Sequence, residues 1–141
     1  MQRNGKNVTI LLVDDDTVDV MAVRRAIDRS GIGGQIVTAN DGLEALQKLK
    51  DGNSVPRPYL VLLDLNMPRM NGIEFLTAAR RDPDINDAIV FVLTTSKAEE
   101  DKRKAYEHNI AGYIVKEGSA GGYINTADLL HNYSRIVELP S

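Results

Sequence analysis

Carboxylates, a hydroxyl group and an ammonium group follow apolar runs of the sequence, at positions where they could act together. Asp14 and Asp15 come directly after the first apolar run, and Asp64 comes directly after the third. Thr94 follows the fourth run and Lys116 follows the fifth. These residue types suit one reaction in particular, the transfer of a phosphoryl group onto a carboxylate.

Each of these residues has a predicted role in that chemistry. Asp64 is the predicted nucleophile, because a carboxylate can form a covalent acyl phosphate. Asp14 and Asp15 are predicted to hold Mg²⁺, a hard cation that proteins bind through one or two carboxylates together with phosphate oxygens. Lys116 offers a positive charge to phosphate oxygens, and Thr94 offers a hydroxyl group. Without a metal ion, the clustered carboxylates repel one another, which raises the pKa of at least one.

Ordinary structural roles compete with this interpretation. An aspartate after a strand usually caps the next helix, where it accepts hydrogen bonds from free amides, and we assign that role to Asp16. A single Asp64 would most often be a loop or cap residue, and Thr94 or Lys116 alone would carry almost no information. Their joint placement after four separate runs favours the functional interpretation.

The elements that must position these residues follow from hydrophobic periodicity. Five short apolar runs predict strands at Thr9–Val13, Ile36–Ala39, Tyr59–Leu63, Ile89–Leu93 and Tyr113–Val115. Apolar residues at helical spacing predict five helices, through Val20, Val23 and Ile27; Leu43, Leu46 and Leu49; Ile73, Leu76 and Ala79; Ala98 and Ala105; and Ala127, Leu130, Tyr133 and Val137. The fourth helix is expected from Lys97 to about His108. Strands that alternate with helices indicate an α/β fold with a doubly wound parallel sheet, whose ligands collect beyond the carboxyl ends of the strands.

Composition restricts the class of protein. The chain has 141 residues, of which 43% are hydrophobic and 26% charged, as in ordinary globular domains. It contains no cysteine, which excludes disulfides and thiolate metal sites. A formal net charge of −3 argues against nucleic acid as a partner, and no apolar run approaches the roughly 20 residues of a membrane span. We therefore expect a cytoplasmic protein with neither a nucleic-acid nor a membrane partner.

Three enzyme classes offer alternative explanations of the aspartates. The segment from Asp15 to Asp19 matches the DDxxD metal motif of prenyl-transfer enzymes, but those enzymes are large and all-helical. A P-loop nucleotide-binding site is excluded, because the GxxxxGK[ST] motif does not occur. A haloacid-dehalogenase-type phosphatase also uses a nucleophilic aspartate after a strand and stays open as the alternative function. That family has a second aspartate two residues on, where this chain has Asn66.

Four segments of the sequence resemble the response-regulator receiver domain: Leu12–Asp15, Val61–Gly72, Val92–Thr94 and Tyr113–Lys116. The stretch from Asp64 to Gly72 is specific on its own, and the other three segments follow in the family's order. The resemblance runs over residues 8–133, which are the predicted receiver domain. Residues 1–7 are then an N-terminal tail. Residues 134–141 are a C-terminal extension, which is expected to continue the last helix into a partner contact.

The resemblance implies a fold and a metal site. The expected fold is a flavodoxin-like (β/α)5 sheet with strand order 2-1-3-4-5. Asp64 becomes the phosphoacceptor. Mg²⁺ or Mn²⁺ is expected on Asp14, Asp15 and Asp64, together with the backbone carbonyl of Asn66.

The resemblance also implies a conformational switch. Thr94 and Lys116 become the residues that bind the phosphoryl group, and Tyr113 becomes the aromatic residue that changes rotamer with Thr94. Asn66 and Ser96 occupy the two positions that tune hydrolysis of the acyl phosphate in this family.

Partners follow from the same resemblance. A sensor histidine kinase is expected to donate the phosphoryl group, and the output is expected to be a contact with a downstream protein or onward transfer of the phosphate. The surface of the fourth helix, fifth strand and fifth helix is expected to change state and to form a homodimer. Such a protein acts only on itself, so we do not expect an enzyme in the usual sense.

Three features narrow the resemblance further. Lys116 is followed by Glu117, where the family usually has a proline after a cis peptide bond, so the shape of this loop is open. The missing proline, the stretch Leu93–Ser96 and the tail Tyr133–Pro140 look like the stand-alone regulators that pair with bacterial phytochromes. Apolar residues of the tail are expected to be available for pairing: Tyr133, Ile136, Val137 and Leu139.

Overall fold

A computed structural model describes residues 7–116 and 122–141, and its strands and helices alternate along the chain. The strands are β1 (Thr9–Val13), β2 (Ile36–Ala39), β3 (Tyr59–Leu63), β4 (Ile89–Thr94) and β5 (Gly112–Val115). The helices are α1 (Thr17–Ser30), α2 (Gly42–Lys50), α3 (Gly72–Arg81), α4 (Glu99–Glu107) and α5 (Gly122–Ile136). The predicted α/β class is confirmed.

All five strands form one parallel sheet in the order β2-β1-β3-β4-β5, as the family resemblance implied. Val13 at the end of β1 pairs with Leu63 at the end of β3, and Thr94 at the end of β4 pairs with Val115 of β5. Because the strands are parallel, their carboxyl ends lie along one edge of the sheet. The residues that follow them therefore meet at that edge.

The two central strands are buried on both faces, which explains their continuous apolar runs. Every residue of β1 and of β3 is buried. Along β1, Leu11 and Val13 belong to the core cluster that contains α2 and α3 residues such as Phe75, whereas Ile10 and Leu12 belong to the cluster that contains Val23 and other α1 and α5 residues. Helices on both faces thus hold the sheet, and with it the functional edge, in place.

Local signals in the sequence set the ends of the first and third helices. Asp16 caps α1 by accepting hydrogen bonds from the N–H groups of Val18 and Asp19, as predicted. Gly31 ends α1 with a φ of 90°, a left-handed conformation that favours glycine. Asn71 caps α3 in a capping box with Glu74.

The fourth helix differs from its prediction. It begins at Glu99 instead of Lys97, whereas its end at Glu107 agrees with the expected end near His108. Ser96 and Ala98 account for the later start, because the hydroxyl oxygen of Ser96 accepts a hydrogen bond from the N–H of Ala98, whose backbone is still extended.

Two apolar predictions are corrected by the packing. In α2, Leu49 is buried and Leu46 packs against the core as predicted, whereas Leu43 is exposed and Gly42 and Ala45 are buried in addition. The predicted pairing tail also packs largely on its own domain: the ring of Tyr133 lies edge-on to Phe91 with centroids 5.0 Å apart, and Leu139 packs against the core. Ile136, by contrast, is 74% exposed.

Two further points concern the peptide bond after Lys116 and the character of the helices. The conformation of the peptide bond between Lys116 and Glu117, which the sequence left open, lies outside the described residues. Within the described residues, no helix combines the length and the apolar character needed to cross a membrane.

Candidate functional site

Two predicted aspartates and the predicted lysine meet at the carboxyl edge of the sheet. The ammonium nitrogen of Lys116, just after β5, lies 3.0 Å from Asp14 Oδ2 and 3.2 Å from Asp64 Oδ2. All three side chains are buried. The edge therefore holds a buried cluster of carboxylates around one ammonium group, formed by residues that the sequence analysis expected to lie at this edge.

The same edge offers a set of oxygen ligands for a metal ion. Carboxylate oxygens of Asp14, Asp15 and Asp64 all lie within 4.8 Å of one another. Asp14 and Asp64 are buried, whereas Asp15 is exposed and faces the solvent side of the cluster. Anionic oxygen donors at this spacing are what a hard divalent cation requires, so these residues fit Mg²⁺ or Mn²⁺.

Positive charge stabilises the buried carboxylates of this cluster. Burial raises the pKa of Asp14, although hydrogen bonds from the N–H of Asp16 and from Lys116 act in the opposite direction. For Lys116, burial lowers the pKa, but hydrogen bonds to Asp19 and Asp14 and the charge of Asp64 outweigh it, so the net pKa is raised. Lys116 is therefore charged at neutral pH.

The loop after β3 is fixed by close backbone contacts. The N–H of Gly72 donates to the carbonyl oxygen of Leu65 at 2.9 Å. A Cβ atom at Gly72 would come within 2.7 Å of the Asp64 carbonyl oxygen, so only glycine fits at the start of α3. The exposed Asn66 donates its N–H to Asp64 Oδ1 at 3.3 Å. The loop thereby presents the Asp64 carboxylate at a defined position.

Asp41 and Arg69 anchor the far end of that loop. Asp41 is buried and caps α2 through the N–H of Glu44. Its other oxygen, Oδ2, lies 2.6 Å from the guanidinium group of Arg69. The capping bond, aided by Arg69, lowers the pKa of Asp41 despite its burial.

The remaining predicted residues lie on the β4–β5 side of the site. Thr94 is fully buried, and the N–H of Lys116 donates to its carbonyl oxygen at 2.7 Å, so the two residues are neighbours. The half-buried Tyr113 donates its hydroxyl to the carbonyl oxygen of Ser96 at 3.0 Å. Ser96 Oγ in turn donates to Asp101 Oδ2 at 2.6 Å, which connects the site to α4.

The structure adds two residues that the sequence interpretation missed. Asp19 Oδ2 lies 2.8 Å from the ammonium nitrogen of Lys116, closer than either Asp14 or Asp64. Asp19 Oδ1 accepts a hydrogen bond from the hydroxyl of Tyr123 at 3.2 Å. Burial and the charge of Asp19 raise the pKa of Tyr123 to about 12. The available signal was the position of Asp19 in the first turn of α1, next to the functional edge.

The DDxxD segment is divided among three roles. Asp15 belongs to the possible metal ligands, Asp16 caps α1, and Asp19 contacts Lys116. Spacing that suggested a single metal motif therefore reflects the start of a helix beside a shared site.

Comparisons with known proteins agree with this geometry. A family model described as the response regulator receiver domain matches residues 10–126. FilR2, a probable methanogenesis regulatory protein of Methanothrix harundinacea, is 35% identical over 126 residues, which cover 88% of this chain and 81% of that protein. The response regulator Rcp1 of Synechocystis sp. is 38% identical over 110 residues, which cover 76% of this chain and 75% of Rcp1.

Solved structures give the same result. The phosphorylated cyanobacterial phytochrome response regulator RcpA superposes with a TM-score of 0.87 at 31% identity, covering 96% of this chain and 100% of that chain. The Mn²⁺-bound form of Rcp1 superposes with a TM-score of 0.82 at 31% identity, covering 94% and 99%. These matches do not support the haloacid-dehalogenase alternative. The chain belongs to the response regulator receiver domain family.

Proposed function

We propose that this receiver domain accepts a phosphoryl group on Asp64 from the phosphohistidine of a sensor histidine kinase, in a reaction that needs Mg²⁺ or Mn²⁺. The observation that carries the proposal is the position of the Asp64 carboxylate, which lies 3.2 Å from Lys116 and among the oxygens of Asp14 and Asp15. A nucleophile, a cation-binding group and a fixed positive charge are therefore together at one point.

The transfer step follows from these positions. A carboxylate oxygen of Asp64 attacks phosphorus, the phosphorus–nitrogen bond of the donor breaks, and the imidazole leaves and takes up a proton. Asp14, Asp15, Asp64 and the Asn66 carbonyl would hold the cation, which supplies charge neutralisation for the phosphoryl oxygens. Lys116 adds a positive charge that is already present at the site.

The switch uses residues on β4 and β5. The buried hydroxyl of Thr94 and the ammonium group of Lys116 bind the oxygens of the transferred group, and Tyr113 follows Thr94 inward. Asn66, which is exposed, and Ser96, which is half-buried, border the path of water to the acyl phosphate and set its hydrolysis rate. The reaction is confined to the chain itself, which makes this a signalling protein and not an enzyme with turnover.

The partners belong to the same proposal. RcpA is a phytochrome response regulator, and its similarity supports a phytochrome-type kinase as the donor. A homodimer would use the face of α4, β5 and α5, where apolar side chains are exposed: Tyr106, Ile124, Leu129 and Ile136. A downstream protein or a phosphotransfer partner then reads the state of that face. We further propose the domain limits 8–133, with 134–141 as an extension.

Incubation with Mg²⁺ and acetyl phosphate, followed by intact mass measurement, tests the phosphoacceptor. The wild type should gain one phosphoryl group, and Asp64→Asn should gain none. Asp16→Asn is the matched control, because asparagine also caps helices and the residue lies beside the site. A phosphoryl group that persists on Asp64→Asn contradicts the assignment. Turnover of many phosphomonoester molecules per chain would contradict a self-limited reaction.

A further inference from the structure

The ammonium group of Lys116 already uses all of its hydrogen-bonding capacity. An ammonium group has three N–H donors, and Lys116 contacts three carboxylates, those of Asp14, Asp19 and Asp64. If Lys116 keeps its contact with the Asp64 carboxylate and also donates to a phosphoryl group on it, one of the other two contacts must be given up.

Of the two contacting carboxylates that do not accept the phosphoryl group, Asp19 is the one that water can reach more readily. Asp14 is 3% exposed, so its carboxylate would lose a buried partner with little water to replace it. Asp19 lies at the start of α1 and its side chain is 26% exposed, so water can solvate its carboxylate when Lys116 leaves. Asp19 nevertheless makes the shortest of the three contacts, at 2.8 Å.

Tyr123 connects the same carboxylate to α5. Its hydroxyl donates to Asp19 Oδ1 while Asp19 Oδ2 accepts from Lys116. Tyr123 is the second residue of α5, so one carboxylate joins the start of α1, the end of β5 and the first turn of α5. A change at Lys116 therefore reaches α5 through a single side chain.

We propose that Asp19 is a positioning residue that holds Lys116 in the unphosphorylated protein, and that loss of this contact on phosphorylation releases Tyr123 and loosens the first turn of α5. The inference rests on the proposed phosphorylation of Asp64. It adds a route from the site to α5 that does not pass through Thr94 and Tyr113.

Beryllium fluoride binds to a carboxylate as a phosphoryl group does. Its affinity tests whether Asp19 holds Lys116 in the unphosphorylated protein. Titration calorimetry at saturating Mg²⁺ compares the wild type with Asp19→Asn. Since the variant lacks a contact that only the free state makes, it should bind roughly two- to fivefold more tightly, the range of a partly exposed ion pair. Asp28→Asn, an exposed change of the same charge on the same helix, should match the wild type.

Hydrogen exchange in the first turn of α5 tests whether loss of the Asp19 contact loosens that turn. In the wild type, exchange there should become faster when beryllium fluoride binds. That response should disappear in Asp19→Asn and in Tyr123→Phe, which lacks only the hydroxyl. Tyr133→Phe, a control on the same helix, should keep the response. If the removal of a negative charge alone tightened binding of beryllium fluoride, Asp19→Asn would still show faster exchange in α5 on binding. Hydrogen exchange therefore distinguishes a general charge effect from the proposed role of Asp19.

The outcomes are distinct. If the wild type binds the mimic but Asp19→Asn has the affinity of Asp28→Asn, or if the α5 response survives in Asp19→Asn, the inference is wrong and the phosphoacceptor assignment stands. If the wild type neither binds the mimic nor gains a phosphoryl group on Asp64, the proposed function is wrong and the role of Asp19 is overturned with it.

Discussion

Thr94 and Tyr113 are joined through the backbone of one residue, Ser96. The hydroxyl oxygen of Thr94 accepts a hydrogen bond from the N–H of Ser96 at 3.3 Å, and the hydroxyl of Tyr113 donates to the carbonyl oxygen of Ser96 at 3.0 Å. If the Thr94 hydroxyl turns toward a phosphoryl group, it gives up its hydrogen bond to the Ser96 backbone. The loop that holds Tyr113 is then free to move, which gives the proposed switch a physical connection.

Thr94→Ala should separate phosphorylation from its consequence. The variant should still gain a phosphoryl group, because Asp64, Lys116 and the metal ligands are unchanged, but any phosphorylation-dependent change in association should be lost. Intact mass measures the first property, and light scattering with and without Mg²⁺ and acetyl phosphate measures the second. Thr95→Ala, a change at the exposed neighbouring residue, is the control. A normal association response in Thr94→Ala would exclude this role for Thr94.

Asp14→Asn should stabilise the metal-free protein and weaken its response to metal. The raised pKa of Asp14 means that the folded state disfavours the charged carboxylate. The Asp14 side chain therefore stabilises the fold most below the ordinary pKa of 3.8, and this stabilisation is lost as pH rises through the raised pKa of the folded state. Asparagine imitates the neutral form and can still accept from the N–H of Asp16. Urea unfolding at pH 7 should show a higher free energy of unfolding for the metal-free variant than for the metal-free wild type.

Magnesium provides the second half of this measurement. The ion stabilises the wild type by binding only the folded state, and the variant should gain less from the same concentration. Asp28→Asn serves as the control for loss of charge on a nearby helix. A metal-free Asp14→Asn protein that is less stable than the wild type at pH 7 would contradict the electrostatic explanation.

Asp41→Asn should lower stability in a pH-dependent manner. Asparagine keeps the helix cap but loses the ion pair with Arg69, so we expect a loss of about 1 kcal/mol at pH 7 for a pair with one exposed partner. The lowered pKa of Asp41 fixes the sign: its contribution is complete above the ordinary value of 3.8 and disappears as pH falls through the lower folded pKa. Urea unfolding from neutral to acid pH checks this. A difference that stays constant at acid pH would exclude the ion pair as its source.

Local patterns were sufficient to predict the sheet and the residues at its edge. The runs that form β1 and β3 are buried on both faces, and such burial leaves a continuous apolar pattern that needs no knowledge of neighbours. Once the strands are parallel, their carboxyl ends share an edge, so the meeting of Asp14, Asp64 and Lys116 follows from topology alone.

Contacts that depend on the direction of a side chain could not be predicted from the sequence. Lys116 and Asp19 are separated by 97 positions, and their contact depends on how α1 leaves β1 and on where its first turn points. Leu43 fits the apolar spacing of α2 together with Leu46 and Leu49, yet it is exposed, whereas Gly42 and Ala45 are buried beside Leu49. Periodicity identifies an apolar face to within one turn, but packing against neighbouring elements decides which residues are covered.

Arg80 provides the last test, because its guanidinium group holds four backbone carbonyls. It donates to the carbonyl oxygens of His108 at 2.7 Å, Ala88 at 2.8 Å, Asn86 at 2.9 Å and Asn109 at 3.1 Å. These carbonyls belong to the segment that follows α4 and to the segment that enters β4, so one α3 side chain holds these two segments together.

Arg80→Lys should therefore destabilise the domain although the charge is kept. A lysine has three donors on a single nitrogen and cannot reach carbonyls that the planar guanidinium spans, so some of them lose their partners. The expected loss is about 2–4 kcal/mol in urea unfolding. Arg81→Lys, at the exposed neighbouring position, should change stability by less than about 0.5 kcal/mol. Equal stability of the two variants would show that the charge of Arg80, and not its geometry, supports the fold.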